Sequence, residues 1–266
     1  MTEISAAMVK QLRDATSAGM MDCKRALQEA DGDFDAAVKL LREKGMAQAA
    51  KRAGRETSEG KVGVTIDGGV GAIAAIGCET EPVSNNEEFL AYAEDVLTAV
   101  KDGGGEAAQS LEDRRVALSG KLGENIQVLG AKRMEAGDGE RLSFYVHAPA
   151  NKVGALVRTQ GGDEAAARSL ALHLTFARPT YGSRDEVPAE LVQAEREILS
   201  HSDEVLSKPE NVREKIVEGQ LNKRFYAESV LTEQTWYRPD ESTASVGQVL
   251  KERGIELLDW AWYSVS

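Results

Sequence analysis

The sequence predicts an α+β fold, on three observations. Three short amphipathic helices with small apolar faces open the chain over residues 1–54. A hairpin, helix and strand then follow in that order, and the same order returns in outline after residue 140. The second occurrence carries two long polar helices that the first lacks.

In the N-terminal segment, Ser5 is placed to cap a helix bearing Met8, Val9 and Leu12, which Thr16–Gly19 ends. A second helix starts near Met21, presents Cys23, Ala26, Leu27 and Ala30, and stops at Asp31-Gly32. Asp33 caps a third, whose Phe34, Ala37, Val38 and Leu41 share a face and which Gly45 is expected to close. The polar, basic stretch Lys51–Gly60 reads as a linker. Over 55–140, the runs Lys61–Asp67 and Val70–Gly77 flank Gly68-Gly69 as a hairpin. Helical patterns follow at Asn86–Lys101 and around Ser110–Leu122, then a strand at Ile126–Met134.

Over 141–266, strands are expected at Arg141–His147 and Lys152–Thr159, with a helix over Asp163–Ala177. Two polar helices, about 188–206 and 209–227, break at Lys208-Pro209. Leu191, Ala194, Ile198 and Val205 give the first a thin seam that Val212 and Ile216 continue, which suits an antiparallel hairpin projecting from the body. A strand near Ser229–Tyr237, a helix Val246–Arg253 stopped by Gly254, and a strand Ile255–Ser264 complete the chain.

Composition narrows the function classes. The net charge is −12, yet residues 1–55 hold ten Lys/Arg against eight Asp/Glu, so the remainder carries −14. An acidic body repels phosphates, so the expected partner is a protein and not a nucleic acid. Two cysteines exclude a disulfide scaffold and a four-thiolate metal site. No apolar run reaches a membrane span of roughly 18 residues and no signal peptide is evident, which leads us to expect a soluble, cytoplasmic protein without membrane contact.

Catalytic motifs are scarce. Gly120-Lys121 lacks the glycine a phosphate loop needs upstream, and Gly68, Gly69 and Gly71 lie in a hairpin instead of before a helix. His147, His173 and His201 are far apart, and core packing is the reading for Cys23 and Cys78. No catalytic or metal-binding constellation is expected, and no cofactor. Two places stand out for contact chemistry. Met20-Met21 opens a helix, where exposed methionines make an adaptable surface and core burial is the equal alternative. The loop Cys78–Asn85, directly after an apolar strand, could present a carboxylate and an apolar wedge, or serve as a plain turn with Asn85 or Asn86 capping the next helix.

The stretch from Val9 to Leu27 (VKQLRDATSAGMMDCKRAL) closely resembles the opening motif of the translation elongation factor Ts family. The resemblance continues through Gly32-Asp33, Leu41–Gly45, Glu59-Gly60, Gly123–Ile126, Lys208-Pro209, Lys215–Gly219 and Val246–Leu250, essentially the whole chain in order. It implies a nucleotide exchange factor for the GTPase elongation factor Tu, not an enzyme with chemistry of its own. It also implies a ubiquitin-associated-like N-terminal module docking on the GTPase domain, two related α+β core halves, and a protruding helical hairpin on the second. The family's Thr-Asp-Phe-Val loop, which intrudes beside the Mg²⁺ and nucleotide of Tu, corresponds to Thr80, Glu81, Pro82 and Val83. A core-helix histidine that inserts elsewhere in the GTPase domain corresponds to His173, and Arg13, Met20 and Met21 correspond to the N-terminal contact. On periodicity alone His173 reads as a satisfied helix residue.

The departures fall in the loop. Glu81 replaces the family's Asp, Pro82 its Phe, and Asn85 the basic residue that follows; Ala75 and Gly77 stand where the preceding strand has an acid and an Asn. Proline fixes φ, removes a donor and cannot fill an aromatic-sized pocket. A relative that holds Tu without accelerating exchange is therefore the alternative reading. The hairpin leaves self-association, contact with Tu and plain solvation open.

Overall fold

The computed structural model describes residues 4–16 and 18–265; Ser17, within the opening motif, lies outside the described residues. The chain divides into two compact units. One comprises the described part of 1–134 with Val146–Val153 and 263–265, the other Glu135–Tyr145 with Gly154–Trp262.

The first unit begins with α1 (Ala6–Thr16), α2 (Met20–Glu29) and α3 (Phe34–Arg52). Ser5 Oγ accepts from the Met8 N–H (3.2 Å) and Asp33 Oδ1 from the Ala36 N–H (2.9 Å), the caps that the sequence predicts. Val9, Leu12, Cys23, Ala26, Leu27 and Ala37 form one small buried cluster, with Ala30, Phe34, Val38 and Leu41 packed against it. Gly45 does not close α3. The alanine-rich Met46–Arg52 continues it for two turns, because Ala has the least helical cost and Gly45 sits 3.5 Å, from its virtual Cβ, against Val116. The connection to the first strand is correspondingly shorter than the expected linker.

A three-stranded sheet follows, ordered β1 (Glu59–Asp67), β2 (Val70–Cys78), β3 (Gln127–Glu135). The hairpin is antiparallel with Asp67 opposite Val70, which leaves Gly68-Gly69 as its two-residue turn. Between β2 and β3 lie α4 (Glu81–Ser84), α5 (Glu87–Gly103), a 3₁₀ segment at Gly105–Leu111 and α6 (Glu112–Leu122). Ala72, Ala74, Ile76 and Cys78 of β2 pack on Phe89, Tyr92, Val96 and Val100 of α5. Helix α3 lies on α6, where Arg42 pairs with Asp113 (2.5 Å).

The second sheet has the same plan: β4 (Glu140–Val146), β5 (Val153–Gly161) and β6 (Ile255–Ser264), with the hairpin's second strand central. Helix α7 (Glu164–Ala177), capped by Asp163, packs on β5 through Leu170, Ala171 and Leu174. Two expectations need correction. The first long helix breaks into α8 (Ala189–Ser200) and a single turn, α9 (Asp203–Leu206), and α10 (Glu210–Gln220) runs on through a π segment at Leu221–Tyr226 to α11 (Ala227–Ser229). Their core is Leu199, Val205, Val217 and Leu221, whereas Leu191, Ala194 and Ile198 are exposed. Val192 and Leu199 have the same seven-residue spacing as Leu191 and Ile198, so periodicity could not choose between the faces; packing against Val217 and Leu221 turns Val192 and Leu199 inward.

The second correction concerns Ser229–Tyr237, which is not a strand. It follows an irregular path with a 3₁₀ turn at Leu231–Glu233, its backbone donors met by the carbonyls of Tyr181, Gly182 and Ala244. Leu231 and Trp236 fill the core beside α12 (Val246–Glu252).

Among the described residues no helix is long and apolar enough to cross a membrane. Phe89 is fully buried at the β2–α5 contact. Phe89→Ala should lower the unfolding free energy by about 3–5 kcal/mol, read from the urea midpoint at constant m-value.

Candidate functional site

Strand β2 is buried from Gly71 through Cys78, so the chain leaves the sheet with no polar side chain to ease it out. Gly77 allows a close approach: a Cβ there would stand 2.7 Å from Thr57 Oγ1 and 3.0 Å from Leu129 Cδ1. The family's Asn has no room at this position. Burial pushes the Cys78 thiol up to about 12, with the Glu124 carboxylate adding to the effect, so it is no nucleophile at neutral pH.

Beyond Cys78 the backbone makes two caps in succession. Thr80 is extended (φ −131°, ψ 152°) and starts α4, where Pro82 takes an early helical position that needs no N–H donor. The Glu81 carbonyl accepts from Ser84 Oγ (2.8 Å) and Asn85 Nδ2 (3.1 Å), closing that turn. Asn86, of the two candidates, then caps α5 by accepting from the Glu88 N–H (2.9 Å). Thr80, Glu81 and Pro82 are exposed, and Val83 is half-buried against the β2–α5 core. The structure thus brings all four loop residues together. The tip offered outward consists of Glu81 and Pro82, while Val83 anchors it.

The hydrogen bonds that hold this loop are not legible in the sequence. Glu124 accepts from the Glu79 N–H (3.0 Å), the Thr80 N–H (3.1 Å) and the Thr80 hydroxyl (2.5 Å). Glu79 accepts from the Asn125 N–H (2.6 Å), and buried Asn125 donates to the Arg55 carbonyl (2.8 Å). Gly123-Glu124-Asn125 entered only as a family landmark, because its role depends on residues some 45 positions away. The signal was the Gly itself, which reverses the chain at the end of α6 with φ +77°. A cation also stands at the loop's far end despite the loss of the basic residue there: Lys61 Nζ donates to Asn85 Oδ1 (2.9 Å).

In the N-terminal helices Arg13 is exposed, and Met20 and Met21 are 50% and 63% exposed, so these methionines are surface and not core. His173 belongs to the other unit and is fully buried. The Tyr237 N–H donates to its Nδ1 (3.1 Å), which leaves Nε2 to donate to Gln234 Oε1 (2.9 Å). Its ring stacks on Trp236 at 5.7 Å. Both ring nitrogens of His173 are thus engaged within the chain, where the ring clamps α7 to the irregular Gln234–Tyr237 segment. Among the described residues no group of three or more His, Cys, Asp and Glu is arranged to hold a metal ion.

Burial holds the His173 pKa below its ordinary value, opposed in part by the Gln234 hydrogen bond. The stabilisation from a neutral His173 is therefore complete above about pH 6.5. It is lost as pH falls, because the unfolded chain takes up a proton that the folded one refuses. His173→Gln should flatten the pH dependence of the urea-derived stability between pH 7.5 and 5.5, by at most about 1.4 kcal/mol per pH unit.

The family model "Elongation factor TS" matches residues 79–266. Elongation factor Ts from Idiomarina loihiensis is 38% identical over 272 residues, covering 98% of this chain and 91% of that protein. Elongation factor Ts from Halorhodospira halophila is 39% identical over 274 residues (98% and 92%), and that from Escherichia coli 37% over 269 residues (100% and 92%). The loop, the second sheet and the helical hairpin fall within residues 79–266, the relatives cover nearly the whole chain, and the chain belongs to the elongation factor Ts family of translation elongation factors.

Proposed function

We propose that this chain is a guanine nucleotide exchange factor for elongation factor Tu, acting in the cytoplasm during the elongation step of protein synthesis. The observation that carries the reading is the exposed Glu81-Pro82 tip, held by hydrogen bonds at the end of a buried strand in a chain of this family.

Such a factor needs no reaction chemistry. GDP and Mg²⁺ hold the phosphate loop and switch regions of a GTPase in one arrangement. A protein that binds the nucleotide-free arrangement more tightly weakens nucleotide by the same factor. Glu81 brings a negative charge to the Mg²⁺ site, and Pro82 occupies space beside it. Residues 1–54, as a ubiquitin-associated-like module, dock on the GTPase domain through Arg13, Met20 and Met21. The core halves, 55–140 and 141–266, supply the remaining contact, with His173 acting through the clamp it makes and not by insertion. Neither nucleic acid nor a cofactor takes part. The extra methylene of Glu81 and the rigid ring of Pro82 keep the charge and shorten the wedge.

A second reading, a partner that holds Tu without speeding nucleotide release, is favoured by Pro82 alone, since proline cannot fill an aromatic pocket. Release of fluorescent GDP from the cognate Tu separates the two. The wild-type chain should accelerate release, and the Glu81→Ala/Pro82→Ala double variant should be slower at saturation by about tenfold, equivalent to about 1.4 kcal/mol. Tight complex formation without acceleration selects the second reading, and unchanged acceleration by the double variant removes the loop from the mechanism.

A further inference from the structure

We infer that Glu124 is a positioning residue for the exchange loop, through a reciprocal bracket that also ties the end of the docking helices to it. The inference rests on the exchange-factor reading above and adds to it the group that sets the direction of the loop's tip.

The geometry is specific to the segment before Glu81. The connection from β2 to α5 is already complete without Glu124: Asn86 caps α5, and Ser84 and Asn85 satisfy the Glu81 carbonyl. All three donors to Glu124 come from Glu79 and Thr80, the residues that fix how the chain leaves β2. A carboxylate accepting two consecutive backbone N–H groups and a hydroxyl is a set of charge-assisted bonds. It locks Thr80 in the extended conformation from which α4 projects Glu81 and Pro82.

The bracket closes from the other side. Glu79 returns its own carboxylate to the Asn125 N–H (2.6 Å), so Glu124 holds the Glu79 N–H while Glu79 holds that of the residue after Glu124. Arg55 Nη1 lies 3.3 Å from Glu79 Oε1 and is its counter-charge. The Asn125 amide then grips the Arg55 carbonyl (2.8 Å), and Gln127 Nε2 donates to the Ala53 carbonyl (2.9 Å), directly after α3. Gly123, at φ +77°, reverses the chain after α6 and so directs Glu124 and Asn125 back towards the loop.

Glu124→Ala removes all three bonds, Glu124→Gln keeps one acceptor oxygen in the same shape, and Thr80→Val deletes only the hydroxyl bond. In the GDP-release assay with the cognate Tu, Glu124→Ala should lower the maximal rate about tenfold while the half-saturating concentration changes less than about threefold. Glu124→Gln should recover part of that loss, and Thr80→Val should show a smaller loss in the same direction. A group needed only for folding would move thermal stability without this split, so unfolding temperatures are measured on every variant. If Glu124→Ala does not fold, the isosteric Glu124→Gln and Thr80→Val carry the test. Amide hydrogen exchange on the free chain gives a second readout: Glu79 and Thr80 should exchange faster in Glu124→Ala while Ala72–Ile76 stays protected. A wild-type maximal rate in folded Glu124 variants, with Glu81→Ala/Pro82→Ala still slow, overturns the positioning role and leaves the exchange reading standing. A wild-type rate in the loop double variant removes the loop, and the positioning role with it, whereas absence of acceleration by the wild-type chain overturns the exchange reading.

Discussion

Burial of the central strand β2 is the constraint on which the rest of the first unit depends. Its residues from Gly71 to Cys78 meet β1 and β3 along the sheet and α5 across it, so no face remains for a polar group. Everything polar that the chain needs in order to leave the sheet is therefore displaced to Glu79 and beyond. Glu124, Asn125 and Asn86 meet that need from elsewhere in the chain, and Glu81 and Pro82 are left outside it. A tip that its own fold does not use, carried on a strand that cannot move, is a suitable instrument for acting on another protein.

The second unit repeats the plan and uses its central strand differently. Where β2 ends in an exposed turn, β5 leads through Gly161 to the cap at Asp163 and into α7, whose His173 is spent on internal bonds to Gln234 and Tyr237. The polar groups of that region are turned inward. The slightly basic first 55 residues beside a remainder of −14 fit the same division: the N-terminal helices expose Met20, Met21 and Arg13, while the acidic body discourages phosphate contact.

Features set by neighbours in sequence were legible before the structure. Gly68-Gly69 marks the first hairpin, and Ser5, Asp33 and, of the two candidates, Asn86 cap helices that the periodicity outlines. Features set by distant neighbours were not. Gly45 would end an isolated helix, but Val116 lies against it and α3 continues. Leu191 and Ile198 match the helical period as well as Val192 and Leu199 do, and only α10 decides between them. The loop itself was found by its place after an apolar strand and by its family resemblance. Glu124 was hidden because its partners lie 44 and 45 residues away, whereas periodicity alone already reads His173 as a satisfied helix residue.

The exchange function proposed above is a matter of linkage, in which this chain and GDP would favour different arrangements of one GTPase. Titration of the chain onto the cognate Tu, nucleotide-free and then saturated with GDP and Mg²⁺, measures that competition without any rate. The account predicts that GDP weakens binding of the chain by the same factor by which the chain weakens binding of GDP, a factor of at least about ten, or 1.4 kcal/mol of coupling. Equal affinity for the two forms of Tu would contradict it, leaving a protein that holds its partner without acting on the nucleotide.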